Sequence, residues 1–102
     1  MDDTTWTFER PLWRDGAWHF LTVPEDVSDE IEERFGATAA GFGSVRVEVT
    51  IGGSTWRTSI FPSKQHRAYV LPVKKAVRTA EDVHDGDVAQ LLLHVPGAEG
   101  GS

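Results

Sequence analysis

Apolar and polar residues alternate with a period of two most clearly over Val45–Ile51. This alternation is typical of a half-buried β-strand. The pair Gly52-Gly53 follows and favours a two-residue turn, which fixes the register of the strand after it. The predicted cross-strand partners are Val49 and Trp56, Glu48 and Arg57, Val47 and Thr58, and Val45 and Ile60.

A second hairpin is predicted near the N-terminus, where "TWTFERPLWR" and "AWHFLTV" flank Asp15-Gly16. An Asp-Gly pair favours a two-residue turn, and this turn would set Trp13 opposite Trp18. Pro11 indicates an edge strand or a bulge, because proline has no N–H to donate to a sheet. A last strand, "DVAQLLLHV", follows the turn "HDGD".

Two short amphipathic helices interrupt the strands. In "PEDVSDEIEERFG" acidic residues crowd the first turn and Gly36 lies where a helix C′ residue belongs. "LPVKKAVRTA" also has helical periodicity. The apolar stripes are Val27, Ile31 and Phe35 in the first helix, and Val73, Ala76, Val77 and Ala80 in the second.

The two helices have similar approaches in sequence, because "FLTVPEDV" and "YVLPVKKAV" each run from an aromatic residue through apolar residues and a proline. Pro24 and Pro72 therefore precede the helices at comparable points. The parallel indicates an internal duplication. With about six strands, it predicts a small β-barrel made of two similar halves, forming a single domain over residues 1–95 with a flexible tail over 96–102.

Composition narrows the class of protein. The 102 residues include no cysteine, which removes disulfides and thiolate chemistry. No run of about 18 apolar residues and no leader-like N-terminus occurs, so we expect a cytoplasmic protein without a membrane segment.

Charge is unevenly distributed along the chain. The net charge is −6, yet residues 49–80 carry six bases and no acid, between acidic flanks. An acidic protein repels nucleic acid at long range, and only a local basic patch overcomes that repulsion.

The segments "GFGSVRVEVTIGGSTWRTSIFPSK" and "YVLPVKKAVRTAEDVHDGD" resemble a bacterial family known only by number, domain of unknown function nineteen-zero-five. The resemblance covers the chain from about Phe8 to Leu93. It implies a closed double-split β-barrel with a pseudo-two-fold axis, a fold grouped with AbrB-like and MazE-like DNA-binding regulators. The family is expected to hold both halves of the barrel in one chain, and it has no established activity, so the resemblance implies a fold more than a chemistry.

The basic helix supplies the candidate site. Lys74, Lys75 and Arg78 are spaced so that all three heads project from the side opposite the valine stripe. Cations in the first turn oppose the helix dipole, and a locally unfavourable choice of residue often marks function. We predict a binding module that uses these three residues, with Lys64 and Arg67, to hold an anionic small molecule or an acidic protein surface. The alternative is that the cations are solvated or neutralised by neighbouring carboxylates.

Other functions are weaker hypotheses. An AbrB-like nucleic-acid-binding regulator is disfavoured by the net charge and the acidic first helix. A small enzyme would need a cleft that brings a histidine beside a carboxylate or hydroxyl, and no catalytic motif supports one. We expect no cofactor, no metal site and a monomer or weak dimer. Aromatic residues are expected mostly in the core, the alternative being an aromatic-lined groove at an open end of the barrel.

Overall fold

The computed structural model describes residues 4–36 and 43–96, and within them the chain folds into a mainly β structure with two helices. Seven strands lie in this part of the chain, where about six were predicted. The strands are β1 (Thr5–Pro11), β2 (Trp13–Asp15), β3 (Trp18–Thr22), β4 (Val45–Ile51), β5 (Ser54–Ser63), β6 (Ala68–Pro72) and β7 (Val88–His94). The helices are α1 (Glu25–Phe35) and α2 (Lys75–Glu81).

The strands form one antiparallel sheet in the order β1-β7-β4-β5-β6-β3-β2, which curls into a half-barrel. Strand β5 is the longest and turns the corner of the sheet. Its residues up to Ile60 pair with β4, and Phe61–Ser63 pair with β6 on the other side. Changing partners along one strand lets a twisted sheet curl without losing backbone hydrogen bonds.

The predicted β4–β5 hairpin is confirmed, with all four predicted residue pairs in register. Gly52 has a φ of +56°, a left-handed conformation that glycine adopts at little cost. The turn is held from outside as well. Glu81, the last residue of α2, accepts hydrogen bonds from the Gly53 N–H at 3.3 Å and from the Ser54 hydroxyl at 2.6 Å. A Cβ atom on Gly52 would meet this carboxylate, so the glycine also makes room for the clasp.

The predicted N-terminal hairpin is wrong in register. The turn is centred on Gly16-Ala17, so Trp13 pairs with Phe20 rather than with Trp18. Gly16 has a φ of +62° at the first central position, the placement that type II′ turns require, whereas the prediction centred a type I′ turn on Asp15-Gly16. The preceding sequence also divides into two strands, of which β1 pairs with β7 and only β2 pairs with β3. Pro11 ends β1 at the edge of the sheet, which agrees with its missing N–H.

The core lies on the concave face of the curled sheet and under the helices. Alternation along β4 points its four apolar side chains inward, and neighbouring strands add their own inward-facing positions. Burying a side chain of this size stabilises the fold by about 1.5–3 kcal/mol. The largest fully buried side chains are Leu12, Leu21, Ile31, Ile60, Leu71, Leu91 and Leu93.

Helix α1 packs as its stripe predicts, with Ile31 fully buried and Val27 and Phe35 partly buried against the core. Gly36 is the C-cap of α1, in a right-handed conformation with φ of −60°, whereas the predicted position was C′, one residue beyond the cap.

Helix α2 is shorter than its sequence pattern suggests. Of the predicted stripe only Val73 and Val77 are buried, whereas Ala76 and Ala80 are exposed. The prediction of a four-residue buried stripe is wrong because Val73 lies before the helix. The two turns of α2 present only a narrow face to the core.

Strands β3 and β6 lie side by side, with Leu21 opposite Leu71, and their ends make mirrored hydrogen bonds. The Val23 N–H donates to the Tyr69 carbonyl at 2.9 Å, and the Val73 N–H donates to the His19 carbonyl at 2.9 Å. Positions 23 and 73 are therefore equivalent.

This equivalence places Pro24 and Lys74 at the matching N-caps of α1 and α2. Pro72 lies two residues earlier, still within β6. The prediction that the two prolines occupy comparable points is therefore wrong by two residues. The predicted tail lies outside the described residues except for Pro96. Within residues 4–36 and 43–96, no helix is long and apolar enough to cross a membrane.

Candidate binding groove on the outer face of the sheet

The three predicted binding cations of α2 occupy different environments. Lys74 is the N-cap, and Lys75 is the first helical residue and is exposed. Arg78 is half-buried, and its Nε–H donates to the Val73 carbonyl at 3.2 Å. All three heads were predicted to project from the side opposite the valine stripe, whereas the Arg78 head bonds the backbone that leads into its own helix.

Lys64 and Arg67 lie elsewhere, in the turn between β5 and β6. They line a cavity together with Asp29 and Glu32 of α1. The structure thus divides the five predicted site residues into two groups, one on α2 and one beside α1.

Neutralisation by neighbouring carboxylates does not occur within residues 4–36 and 43–96, where none of these five cations makes an ion pair. The acids at the end of α2 and just after it have other contacts. Glu81 bonds the β4–β5 turn, and Asp82 pairs with His84 at 2.8 Å.

An aromatic surface lies on the outer face of the sheet, where a groove of about 590 Å³ crosses strands β3 to β6. Trp18 and Phe20 of β3, Phe61 of β5 and Pro72 of β6 form its apolar lining, and Arg46 of β4 adds a cation. Trp18 is 66% exposed and Phe61 is 41% exposed. Exposed aromatic rings gathered in one concave surface are a common mark of a binding site.

Strand alternation explains why these rings face outward. Leu21, Leu71 and Ile60 are fully buried on the core face. Their chain neighbours Phe20, Pro72 and Phe61 therefore point to the opposite face.

The rings are supported from behind by Trp13 of β2. Its ring centroid lies 4.8 Å from that of Phe20 and 4.7 Å from that of His66, on which it stacks. The Trp13 indole N–H donates to the Thr22 hydroxyl at 2.8 Å, which fixes the ring in place. A groove wall held by stacking and a hydrogen bond loses little side-chain entropy on binding.

Cations lie in the groove and in a cavity next to it. An adjoining cavity of about 220 Å³ shares Trp18, Thr58 and Pro72 with it and contains Arg57 and Lys74. Arg57 pairs with Glu48 at 3.4 Å, whereas Arg46 and Lys74 have no ion-pair partner in the described part of the chain. The arrangement can stack a flat ring on Trp18 or Phe61 and attract a negative group with Arg46 and Lys74.

Sequence reasoning identified Lys74 and raised an aromatic-lined groove as an alternative, but at an open end of the barrel, whereas this groove lies on the outer face of the sheet. The alternation of side chains along β3 contained a signal for this groove. Because Leu21 faces the core, Trp18 and Phe20 must face outward. Without the partner strands, that alternation could not show that Phe61 and Arg46 lie on the same surface.

Histidine pairing, which the enzyme hypothesis requires, is found at the end of β7, where His94 Nδ1 lies 3.0 Å from the Thr5 hydroxyl, and in two turns. His66 Nδ1 lies 3.0 Å from the Ser63 hydroxyl, which also accepts the backbone N–H of His66 at 3.3 Å. The contact therefore closes the turn locally. His84 and Asp82 form a pair in the other, exposed turn. No three His, Asp or Glu side chains within residues 4–36 and 43–96 are grouped so as to hold a metal ion.

His19 is the histidine with a perturbed environment. Its Nδ1 is buried and has no hydrogen-bond partner among the residues that the structure describes. Burial lowers the pKa of His19 below its ordinary value of 6.5, and the charges of Arg78 and Arg14 lower it further, against a small opposing effect of Asp85. The ring is thus held neutral beside α2.

The chain belongs to the family described as Domain of unknown function (DUF1905), which matches residues 6–93. This match confirms the expectation of a domain of unknown function. No curated protein matches the chain.

Proposed function

We propose that the protein is a non-enzymatic binding module, and that its groove takes a ligand combining a flat ring with an anionic group. The observation that carries the proposal is the exposed Trp18 ring beside Arg46, a cation without an ion-pair partner in the described residues. Lys74, predicted from sequence as a binding residue, lies in the adjoining cavity and extends the positive rim.

Physical chemistry favours such a two-part ligand over either part alone. Stacking on an aromatic ring contributes about 1–3 kcal/mol per base-sized ring. A hydrogen bond to a charged group contributes about 1.5–3 kcal/mol. Both contributions act at once only for a ligand that spans from Trp18 to a cation.

The test is an NMR titration of the full chain with adenosine 5′-monophosphate as the probe. Adenosine supplies the ring without the phosphate, and ribose 5-phosphate supplies the phosphate without the ring. We expect the nucleotide to shift the Trp18 indole N–H saturably, and each half-probe to bind at least tenfold more weakly. Equal binding of ribose 5-phosphate would remove the ring from the proposal, and no shift with any probe would contradict it.

A second candidate function is the binding of single-stranded nucleic acid, favoured by the same exposed rings with Arg46, Arg57 and Lys74 around them. Such binders combine stacking platforms with a positive groove, and their affinity falls steeply with salt. The net charge of −6 opposes this candidate. An eight-nucleotide oligothymidylate decides between the two functions. A nucleic-acid binder should prefer it at least tenfold over thymidine monophosphate at low salt, whereas a small-ligand site should not.

The curled sheet is, in this proposal, a closed double-split β-barrel with two related halves and the same fold as AbrB-like regulators. Mirrored hydrogen bonds at the ends of β3 and β6 support it, as do the two helices that follow these strands. A cytoplasmic location and a monomeric or weakly dimeric state remain predictions. Light scattering coupled to size exclusion measures the oligomeric state.

A further inference from the structure

A second cavity, of about 250 Å³, lies between α1 and the turn that joins β5 to β6. It is separate in its lining from the aromatic groove. Two carboxylates, Asp29 and Glu32, line it from the helix, and two cations, Lys64 and Arg67, line it from the turn. Within residues 4–36 and 43–96 none of the four makes an ion pair. Unlike charges thus share one small cavity without neutralising each other.

Tyr69 adds a phenol hydroxyl to the same cavity. The residue is only 5% exposed, and its hydroxyl has no hydrogen-bond partner among the described residues. Its backbone is fixed, because its N–H donates to the Ser28 hydroxyl at 3.0 Å and its carbonyl accepts the Val23 N–H. Burial raises the pKa of Tyr69, and the charge of Glu32 raises it further, so the phenol stays protonated and can donate a hydrogen bond.

The turn residue Arg67 is costly for the backbone. Its φ is +54°, in the left-handed region that glycine and asparagine adopt far more readily than arginine. The turn geometry therefore does not account for an arginine at this position. Strained residues of this kind gather where their side chains are needed, and here the side chain lines the cavity.

We infer that this cavity binds a free α-amino acid, with the ligand's carboxylate directed to Lys64, Arg67 and the Tyr69 hydroxyl and its ammonium group directed to Asp29 and Glu32. The volume lies below the roughly 300–1,000 Å³ of sites for drug-sized ligands, so the ligand is small. Each charge of the zwitterion meets an opposite charge that the fold leaves without an ion pair. The site stands independently of the aromatic groove.

The experiment is an NMR titration of the full chain with glycine, L-serine, L-glutamate, L-lysine and L-phenylalanine as probes. Acetate and methylamine serve as single-charge controls. We expect at least one amino acid to shift the Tyr69 and Arg67 backbone amides saturably, with both controls at least tenfold weaker. The Trp18 indole should not move, which separates this site from the groove. Absence of a saturable shift with all five amino acids overturns the inference, and so does acetate binding as tightly as the best amino acid.

Variants separate ligand binding from folding. Arg67→Gly removes the strained backbone, so it should raise the melting temperature while weakening the best amino acid at least tenfold. Tyr69→Phe keeps the buried ring and should weaken it several-fold. Arg14→Ala, at an exposed arginine outside the cavity, is the matched control and should leave binding unchanged. Retained affinity in Arg67→Gly would overturn the assignment.

Discussion

Helices α1 and α2 begin at equivalent points of the sheet, but different side chains bond the backbone that leads into each helix. In both, the residue three positions after the helix start bonds a carbonyl five residues earlier. Ser28 donates to the Val23 carbonyl at 3.1 Å, and Arg78 donates to the Val73 carbonyl at 3.2 Å. Ser28 is small and buried and also accepts the Tyr69 N–H, whereas Arg78 is long and half-buried.

The two halves therefore differ in how their buried polar groups are hydrogen-bonded. On the α1 side, one serine hydroxyl satisfies two buried backbone groups. On the α2 side, His19 stands at the position equivalent to Tyr69, and its Nδ1 is buried without a partner. Charge follows the same division, because α1 starts with Glu25 and Asp26 and α2 starts after Lys74 with Lys75. The α2 half leaves a buried polar atom without a hydrogen bond in the described residues. The N-cap residue of the same half, Lys74, lies in the cavity that adjoins the aromatic groove.

The largest effects should come from the paired strands that both halves share. Leu21→Ala and Leu71→Ala each remove a fully buried side chain at equivalent positions. We expect each to lower the free energy of unfolding by about 2–5 kcal/mol, as large-to-small core changes do. The two costs should agree within about 1 kcal/mol in urea denaturation, since equivalent sites collapse alike. A much larger gap would mean that the two strands are not equivalent.

Next in size is the comparison of the two back-bonding residues. Ser28→Ala leaves the Tyr69 N–H and the Val23 carbonyl without their bonds, which should cost about 1–3 kcal/mol. Arg78→Met keeps the apolar stem and removes one half-buried hydrogen bond, which should cost about 0.5–1.5 kcal/mol. Denaturation midpoints measure both. If Arg78→Met lowered the free energy of unfolding more than Ser28→Ala does, the predicted order of the two effects would be wrong.

Charge at the helix starts should have a smaller effect. Lys75→Glu places an acid where the α2 dipole favours one and should raise the free energy of unfolding by about 0.3–1 kcal/mol. Glu25→Lys should lower it by a similar amount at the start of α1. Lys75→Gln is the control and should give roughly half the gain, with 1 M salt reducing all three effects. No gain from Lys75→Glu would show that its charge is already balanced.

The smallest expected effect is a pH dependence that comes from His19. Its folded-state pKa is below 6.5, so the unfolded chain takes up the proton first as the pH falls. The free energy of unfolding should therefore decline as the pH drops below about 6.5, and this contribution should level off below the folded pKa. His19→Gln should flatten the curve between pH 7 and pH 5, because it removes the group whose folded-state pKa is lowered. Identical curves for the parent and His19→Gln would contradict the role of burial.

Local signals made much of the fold predictable. The alternation over β4 and the Gly52-Gly53 turn predict the same register, so every predicted residue pair of that hairpin is confirmed. The Asp15-Gly16 turn misled because the dipeptide favours one turn type, while the break at Leu12 divides the preceding segment between two different partner strands. Strand pairing at a distance decides such cases, and a single sequence does not contain it.

The candidate site was less predictable. Lys74 was predicted because it lies in a cationic segment. Its neighbours in sequence, Lys75 and Arg78, lie in other environments in the folded chain. The groove draws its residues from four strands, and Trp18 and Phe61 line the same groove because only β6 lies between β3 and β5. Side-chain periodicity gives the face of each strand, whereas the order of strands gives the site.

Affinity of Trp18→Ala for adenosine 5′-monophosphate, measured by calorimetry beside Val88→Ala, tests the central claim most directly. The two side chains are equally exposed, at 66% and 65%, so both variants should keep the parent's stability within about 0.5 kcal/mol. The proposed groove predicts a loss of at least tenfold in affinity for Trp18→Ala and none for Val88→Ala. Equal affinity in the two variants would contradict it.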